Sequence, residues 1–253
     1  MSSIMKKNRV GETGESKNCG HMTITEYRGA NDIDATFTAT GGVVKTTVCN
    51  FQKGGVKDPL LRTVFGVGFV GMGKYKTKVN NKTTKQYETW KNILSRCFVR
   101  YGSSNCPTYS DATVCDEWLN YQTFSDFYES NHYKIPDQRV HIDKDIIKKG
   151  NKEYSPEFCC FVPISINSIF TKSDVTRGKY LIGVTKQYRN YVSTISIDGK
   201  NKSLGNFNTE IEAFEAYKMA KEAHIKVMAD RYKEYLPSRV YEALYNYQVN
   251  IID

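Results

Sequence analysis

The sequence predicts an α+β, multi-domain protein, and three observations lead there. The chain has 253 residues, and a domain takes roughly 100–200. Hydrophobic residues make up 40% and charged residues 25%, the proportions of chains that bury a core. Blocks of strand-like alternation at both ends flank a block with helical spacing. The blocks place boundaries at 1–78, 79–172 and 173–253.

Residues 1–78 are rich in Gly, Thr and Val and read as a small β module. MTITEYRG, DATFTAT and VVKTTVCNF are its strand candidates, with Gly41-Gly42 as the turn between the second and third. Further on, Gly66-Val67-Gly68-Phe69-Val70-Gly71 matches G-x-G-x-x-G. That fingerprint needs a strand before it and a helix after it. Here Gly73, Lys74, Tyr75 and a Lys/Asn/Thr-rich stretch follow, so flexible turns are expected and no nucleotide cofactor.

Residues 79–172 change character. Tyr87, Trp90, Ile93 and Leu94 share one helical face. Asp116–Glu129 reads as a second helix, with Trp118, Tyr121, Phe124 and Phe127 on one side. Between them lies a loop with turn formers. The stretch from Arg139 to Phe170 then reads as strand, turn, short extended stretch and helix.

Residues 173–253 alternate cleanly. Tyr180–Thr185, Tyr191–Ile197 and Lys202–Phe207 are strands, with a turn at Asp198-Gly199-Lys200. Thr209 and Glu212 form a capping box that opens a helix through Ala213, Ala216, Tyr217 and Ala220. The tail reads as a short helix and a closing strand.

A net charge of +9 with pI about 9.0 favours polyanionic partners, because each Lys or Arg at a phosphate releases a counterion. The 18 Tyr add groups that stack on bases or bond phosphates, although Tyr is also a common strand residue. No apolar run of about 18 residues occurs, so no membrane partner is expected. The start lacks a signal peptide's apolar region, and a cytoplasmic protein with reduced thiols is expected. Cys97, Cys106, Cys115 and Cys159 lack the paired spacing of zinc ligands, so structural zinc is not expected.

The stretch from Gly183 to Tyr217 resembles the AP2 DNA-binding domain. The shared features are Gly183-Val184, the turn at Gly199, Leu204-Gly205 with Phe207, and Thr209 before Glu212-Ala213 and Ala216-Tyr217. The resemblance implies a three-stranded antiparallel sheet packed on one helix, with the sheet in the major groove of double-stranded DNA. Candidate contacts are Arg177, Lys179, Lys186, Tyr188, Arg189, Tyr191, Lys200 and Lys202. Thr185, Thr194, Ser196 and Ser203 stand at several places where the family reads bases with larger side chains.

The middle segment resembles the HNH (ββα-metal) nucleases of phages and mobile elements. It does so through Tyr87-x-x-Trp90 with Arg96-Cys97, Val114-Cys115-x-Glu117-Trp118, and His141-Ile142-Asp143-Lys144-Asp145. Gly150-Asn151-Lys152, Tyr154-Ser155-Pro156-Glu157, and Val162-Pro163 with Asn167 complete the match. The resemblance implies metal-dependent phosphodiester hydrolysis with Mg²⁺ or another divalent ion. His141 would be the general base and Asn151 its orienting partner, and Asp143, Asp145 and Asn167 would be metal ligands. The position before His141, where the family has a metal-binding His or Asp, is Val140. Two readings therefore stand: a homing-type endonuclease in the cytoplasm of a host cell, or a catalytically silent DNA-binding protein on the same folds. A third, weaker one is a phage structural protein.

Overall fold

The computed structural model describes residues 8–99, 111–170 and 179–251. Helices mix with several small sheets, as the α+β class requires. The chain divides into two compact units: Met1–Ser130 with Glu153–Ser155, and Asn131–Lys152 with Pro156–Asp253.

The first unit opens with an antiparallel four-stranded meander of β1 (Thr13–Ser16), β2 (Gly20–Gly29), β3 (Asp32–Phe37) and β4 (Val43–Thr46). Alternation puts Met22, Ile24, Ile33, Ala35 and Phe37 on one buried face. The sequence pattern predicts VVKTTVCNF as one strand. The strand stops at Thr46 instead, because Thr47 caps a short helix, α1 (Val48–Gln52), by accepting from Asn50 N–H. That helix turns Val48 and Phe51 onto the same core.

The G-x-G-x-x-G stretch leads into a two-residue hairpin, β5 (Lys78–Val79) and β6 (Lys82–Thr83), through Asn80 and Asn81 at φ 49° and 60°. Gly68 lets the backbone pass close to the next helix: a Cβ there would lie 2.4 Å from Leu94 Cδ1. Helix α2 (Lys85–Phe98) starts at Thr84, which accepts from Tyr87 N–H. It buries Trp90, Ile93 and Leu94, and the Trp90 indole donates to Trp118 O at 2.6 Å. The second expected helix is broken. Asp116–Leu119 is a single 3₁₀ turn, and Asn120 takes an extended backbone and accepts Gln122 N–H before α3 (Tyr121–Asn131) begins. Strand β7 (Thr113–Val114) pairs in parallel with β9 (Glu153–Tyr154).

In the second unit, β8 (Val140–Asp143) pairs antiparallel with β10 (Cys160–Pro163), and α4 (Ile164–Asn167) follows at once. A three-stranded antiparallel sheet comes next, in order β11 (Val184–Gln187), β12 (Asn190–Ile197), β13 (Lys200–Phe207). Helix α5 (Glu210–Arg231) carries both bonds of the Thr209/Glu212 capping box. Its first half packs Ala213, Phe214 and Tyr217 on the three-stranded sheet. Its second half packs Ile225, Met228 and Ala229 against Cys160, Val162 and α6 (Ser238–Tyr245). One helix thus serves two cores.

Two expectations shift here. The residues from Tyr180 to Gly183 precede the first strand rather than belonging to it, because Gly183 at φ 76° lies against the Tyr217 ring and Leu181 N–H donates to Glu210 Oε1 at 2.7 Å. The tail forms no closing strand among the described residues. Val249 drops into the α5 core, and its N–H donates to Glu222 Oε1 at 2.8 Å.

Candidate nucleic-acid interface

In β12, Tyr191, Ser193, Ile195 and Ile197 fall on one face and Val192, Thr194 and Ser196 on the other. Tyr191, Ile195 and Ile197 join the core under α5. Val192 lies on the far side, buried, with Thr185 and Asn206 as its register partners.

Directly paired residues share a face, so register places the candidates. Lys186 pairs with Tyr191, Lys202 with Ile195, and Lys200 with Ile197. These lysines are exposed but emerge on the helix side, at its rim. The Lys186 ammonium stands 5.2 Å from the centre of the Tyr191 ring, and the Tyr180 ring meets Tyr191 edge-on. Lys179 stands 5.4 Å from the Tyr180 ring. Arg177 lies outside the described residues.

The face away from α5 carries Thr185, Gln187, Thr194, Ser196, Asn201, Ser203 and Asn206, exposed except for the half-buried Thr194. A bulge between Ser193 and Thr194 keeps Leu204 and Phe207 both on the core. The resemblance singles out Thr185, Thr194, Ser196 and Ser203 but passes over Gln187, Asn201 and Asn206. Alternation from Leu204 points to Asn201, but it would place Asn206 on the core side; only the bulge turns Asn206 to the bare face.

Tyr188 and Arg189 form the two-residue link between β11 and β12. Tyr188 is fully exposed, at φ 54°. Bulky residues pay roughly 1–2 kcal/mol for that left-handed backbone, so the turn is strained where its ring is presented to solvent. From Lys179 to Thr209 the chain carries five Lys or Arg against one Asp.

The other candidates lie around β8. His141 is exposed, and among the described residues no hydrogen bond or ion pair reaches its imidazole. Asp143, two residues on, uses one carboxylate oxygen to accept the N–H groups of Asp145 and Ile146 at 2.7 and 2.8 Å. Burial pushes its carboxyl above the usual range, against the pull of those N–H groups. Lys144 is buried. Its ammonium bonds Asp145 at 2.7 Å and Asn151 O at 2.8 Å, and Asn151 Nδ2 returns a bond to Lys144 O at 2.9 Å. The Asp-Lys-Asp and Gly-Asn-Lys pieces therefore close one loop upon itself. Asn167 ends α4.

A metal site needs several oxygen or nitrogen donors converging at about 2.0–2.6 Å. Among the described residues no group of three or more His, Cys, Asp or Glu side chains is so placed. Asp143 and Asp145 are held by protein donors, and Val140 packs against the core shared with α5. As arranged, the two carboxylates are engaged by protein donors and do not converge with a third such group. Cys19, Cys49, Cys115 and Cys160 are free thiols, and Cys106 lies outside the described residues. No described helix is long and apolar enough to cross a membrane.

Comparison with known families, with curated proteins and with solved structures found no match for this chain.

Proposed function

We propose that this chain binds double-stranded DNA with the face of β11–β13 that α5 leaves bare. The observation that supports this most is the composition of that face. It is an exposed, antiparallel surface of hydroxyls and amides, with no charged or large apolar side chain standing out from it among the described residues, and the exposed Lys186, Lys200 and Lys202 leave the same strands from the helix side. Three strands span about 10 Å at ~4.8 Å spacing, which suits a major groove about 12 Å wide. Short side chains let the backbone come close, Asn and Gln can bond an adenine edge in two places, and lysines at phosphates would fix the register without reading sequence.

The test is retention of a labelled duplex by the full chain as salt rises. Binding that weakens linearly on a log–log plot supports the proposal, and no salt-dependent binding at any concentration removes it.

A second reading adds strand cleavage. It is supported by the β8–β10–α4 order and by the exposed His141 imidazole. Incubation of supercoiled plasmid with Mg²⁺ or Mn²⁺, wild type beside His141→Ala, decides it. Nicking by wild type alone favours the nuclease, and equal nicking by both removes His141 from the chemistry.

A further inference from the structure

Between Asp58 and Glu88 the chain carries six Lys or Arg and no Asp or Glu. Within that stretch the β5–β6 hairpin stands out from the first unit, exposed along both strands and its turn. The Asn80-Asn81 turn, both residues at positive φ, is the kind whose twist matches the strands it joins.

The base of the hairpin is held firmly. Thr84 N–H donates to Thr77 O at 3.0 Å, and the Tyr121 hydroxyl donates to Lys76 O at 3.2 Å. Gln122 accepts Tyr75 N–H at 2.9 Å and donates to Tyr75 O at 3.0 Å. The Tyr75 hydroxyl reaches Asp126 and Glu129 on α3.

The lysines divide into two sets. Lys74 is paired with Glu129 at 3.2 Å and Lys85 with Glu88 at 2.7 Å. Lys76, Lys78 and Lys82 are exposed and have no ion pair among the described residues. A rooted arm bearing three unneutralised ammonium groups loses little freedom on docking, and its charge suits a closely spaced row of phosphates.

We infer that the β5–β6 hairpin is a second DNA-contacting element, which grips phosphates through Lys76, Lys78 and Lys82. The inference rests on the duplex-binding reading above, and the partner is the backbone of the same class of duplex proposed for β11–β13. The grip is independent of base sequence, because ammonium groups meet phosphates and not base edges.

The experiment follows the salt dependence of duplex binding by the full chain. With Lys76, Lys78 and Lys82 all changed to Ala, the log–log slope should fall by about 2–3 units, at ~0.9 for each phosphate left without its lysine. The matching triple change to Arg should keep the wild-type slope. A wild-type slope in the Ala variant overturns the inference. So does an equal loss in the Arg variant, which would point to shape and not charge. The single change Lys78→Glu on the exposed strand should also lower affinity, and unchanged affinity counts against the arm. A Thr194→Glu/Ser203→Glu variant is measured alongside. If it loses binding while the lysine variants do not, the hairpin inference falls and the sheet proposal stands. If the lysine variants change binding to single-stranded RNA and not to duplex, the assignment to DNA is overturned.

Discussion

Gly183 and Gly199 offer a controlled test of how the three-stranded sheet is seated on α5. Both have positive φ, 76° and 74°, so an Ala at either pays the left-handed backbone cost of roughly 1–2 kcal/mol. Their surroundings differ. Nothing lies within 4 Å of a Cβ at Gly199, whereas a Cβ at Gly183 would lie 2.0 Å from Tyr217 Cδ2 and 2.3 Å from Cγ. Carbon atoms rest at about 3.5–4.0 Å, so the ring would have to retreat by about 1.5 Å. Tyr217 is buried in the core with Phe214 and Val184, and overpacking of that kind costs ~1–3 kcal/mol. Gly183→Ala should therefore destabilise the second unit by roughly 2–5 kcal/mol, and Gly199→Ala by only the backbone share of about 1–2. Tryptophan fluorescence would miss this, because Trp90 and Trp118 both lie in the first unit. Amide exchange at Thr194 is the suitable readout, since its N–H donates to Gly183 O at 2.8 Å. Equal loss of protection in the two variants would refute the close approach of strand and helix.

Further outcomes follow from the same geometry. Lys186→Ala and Arg189→Ala should each flatten the salt dependence of duplex binding by about one unit, measured by anisotropy, and an unchanged slope would reject either residue as a phosphate contact. Tyr188→Gly should raise thermal stability by relieving the strained turn while weakening DNA retention, and tighter retention would contradict a role for the ring. Burial holds the imidazoles of His132 and His224 below their ordinary value of 6.5. Proton uptake then favours the unfolded chain, so stability should be full above about 6.5 and decline as pH falls through it. Changing both residues to Gln should remove that part of the decline, as read by melts from about pH 7.5 to 5.5.

Much of this architecture is legible in the sequence, for local reasons. The Thr209/Glu212 box and the Asp198-Gly199 turn are short-range signals, and both appear where the residues place them. Positions decided by longer-range packing are not legible. The end of β4 depends on Phe51 finding the sheet core, and the break at Asn120 on a side chain replacing the helix's own hydrogen bond. The candidate site divides in the same way. Basic residues are visible, but not that register sends Lys186, Lys200 and Lys202 to the helix side and leaves Asn201 and Asn206 on the bare face. The Asn80-Asn81 hairpin reads as a flexible stretch, because two-residue strands give almost no period to read.

The most direct measurement is duplex binding by the full chain carrying Thr194→Glu and Ser203→Glu. These neighbours on the bare face pair across β12 and β13, and two carboxylates there would oppose phosphates without touching the core. Affinity should fall at least about tenfold, or ~1.4 kcal/mol, while amide protection in β12 stays as in wild type. Undiminished affinity with the sheet intact would contradict the account.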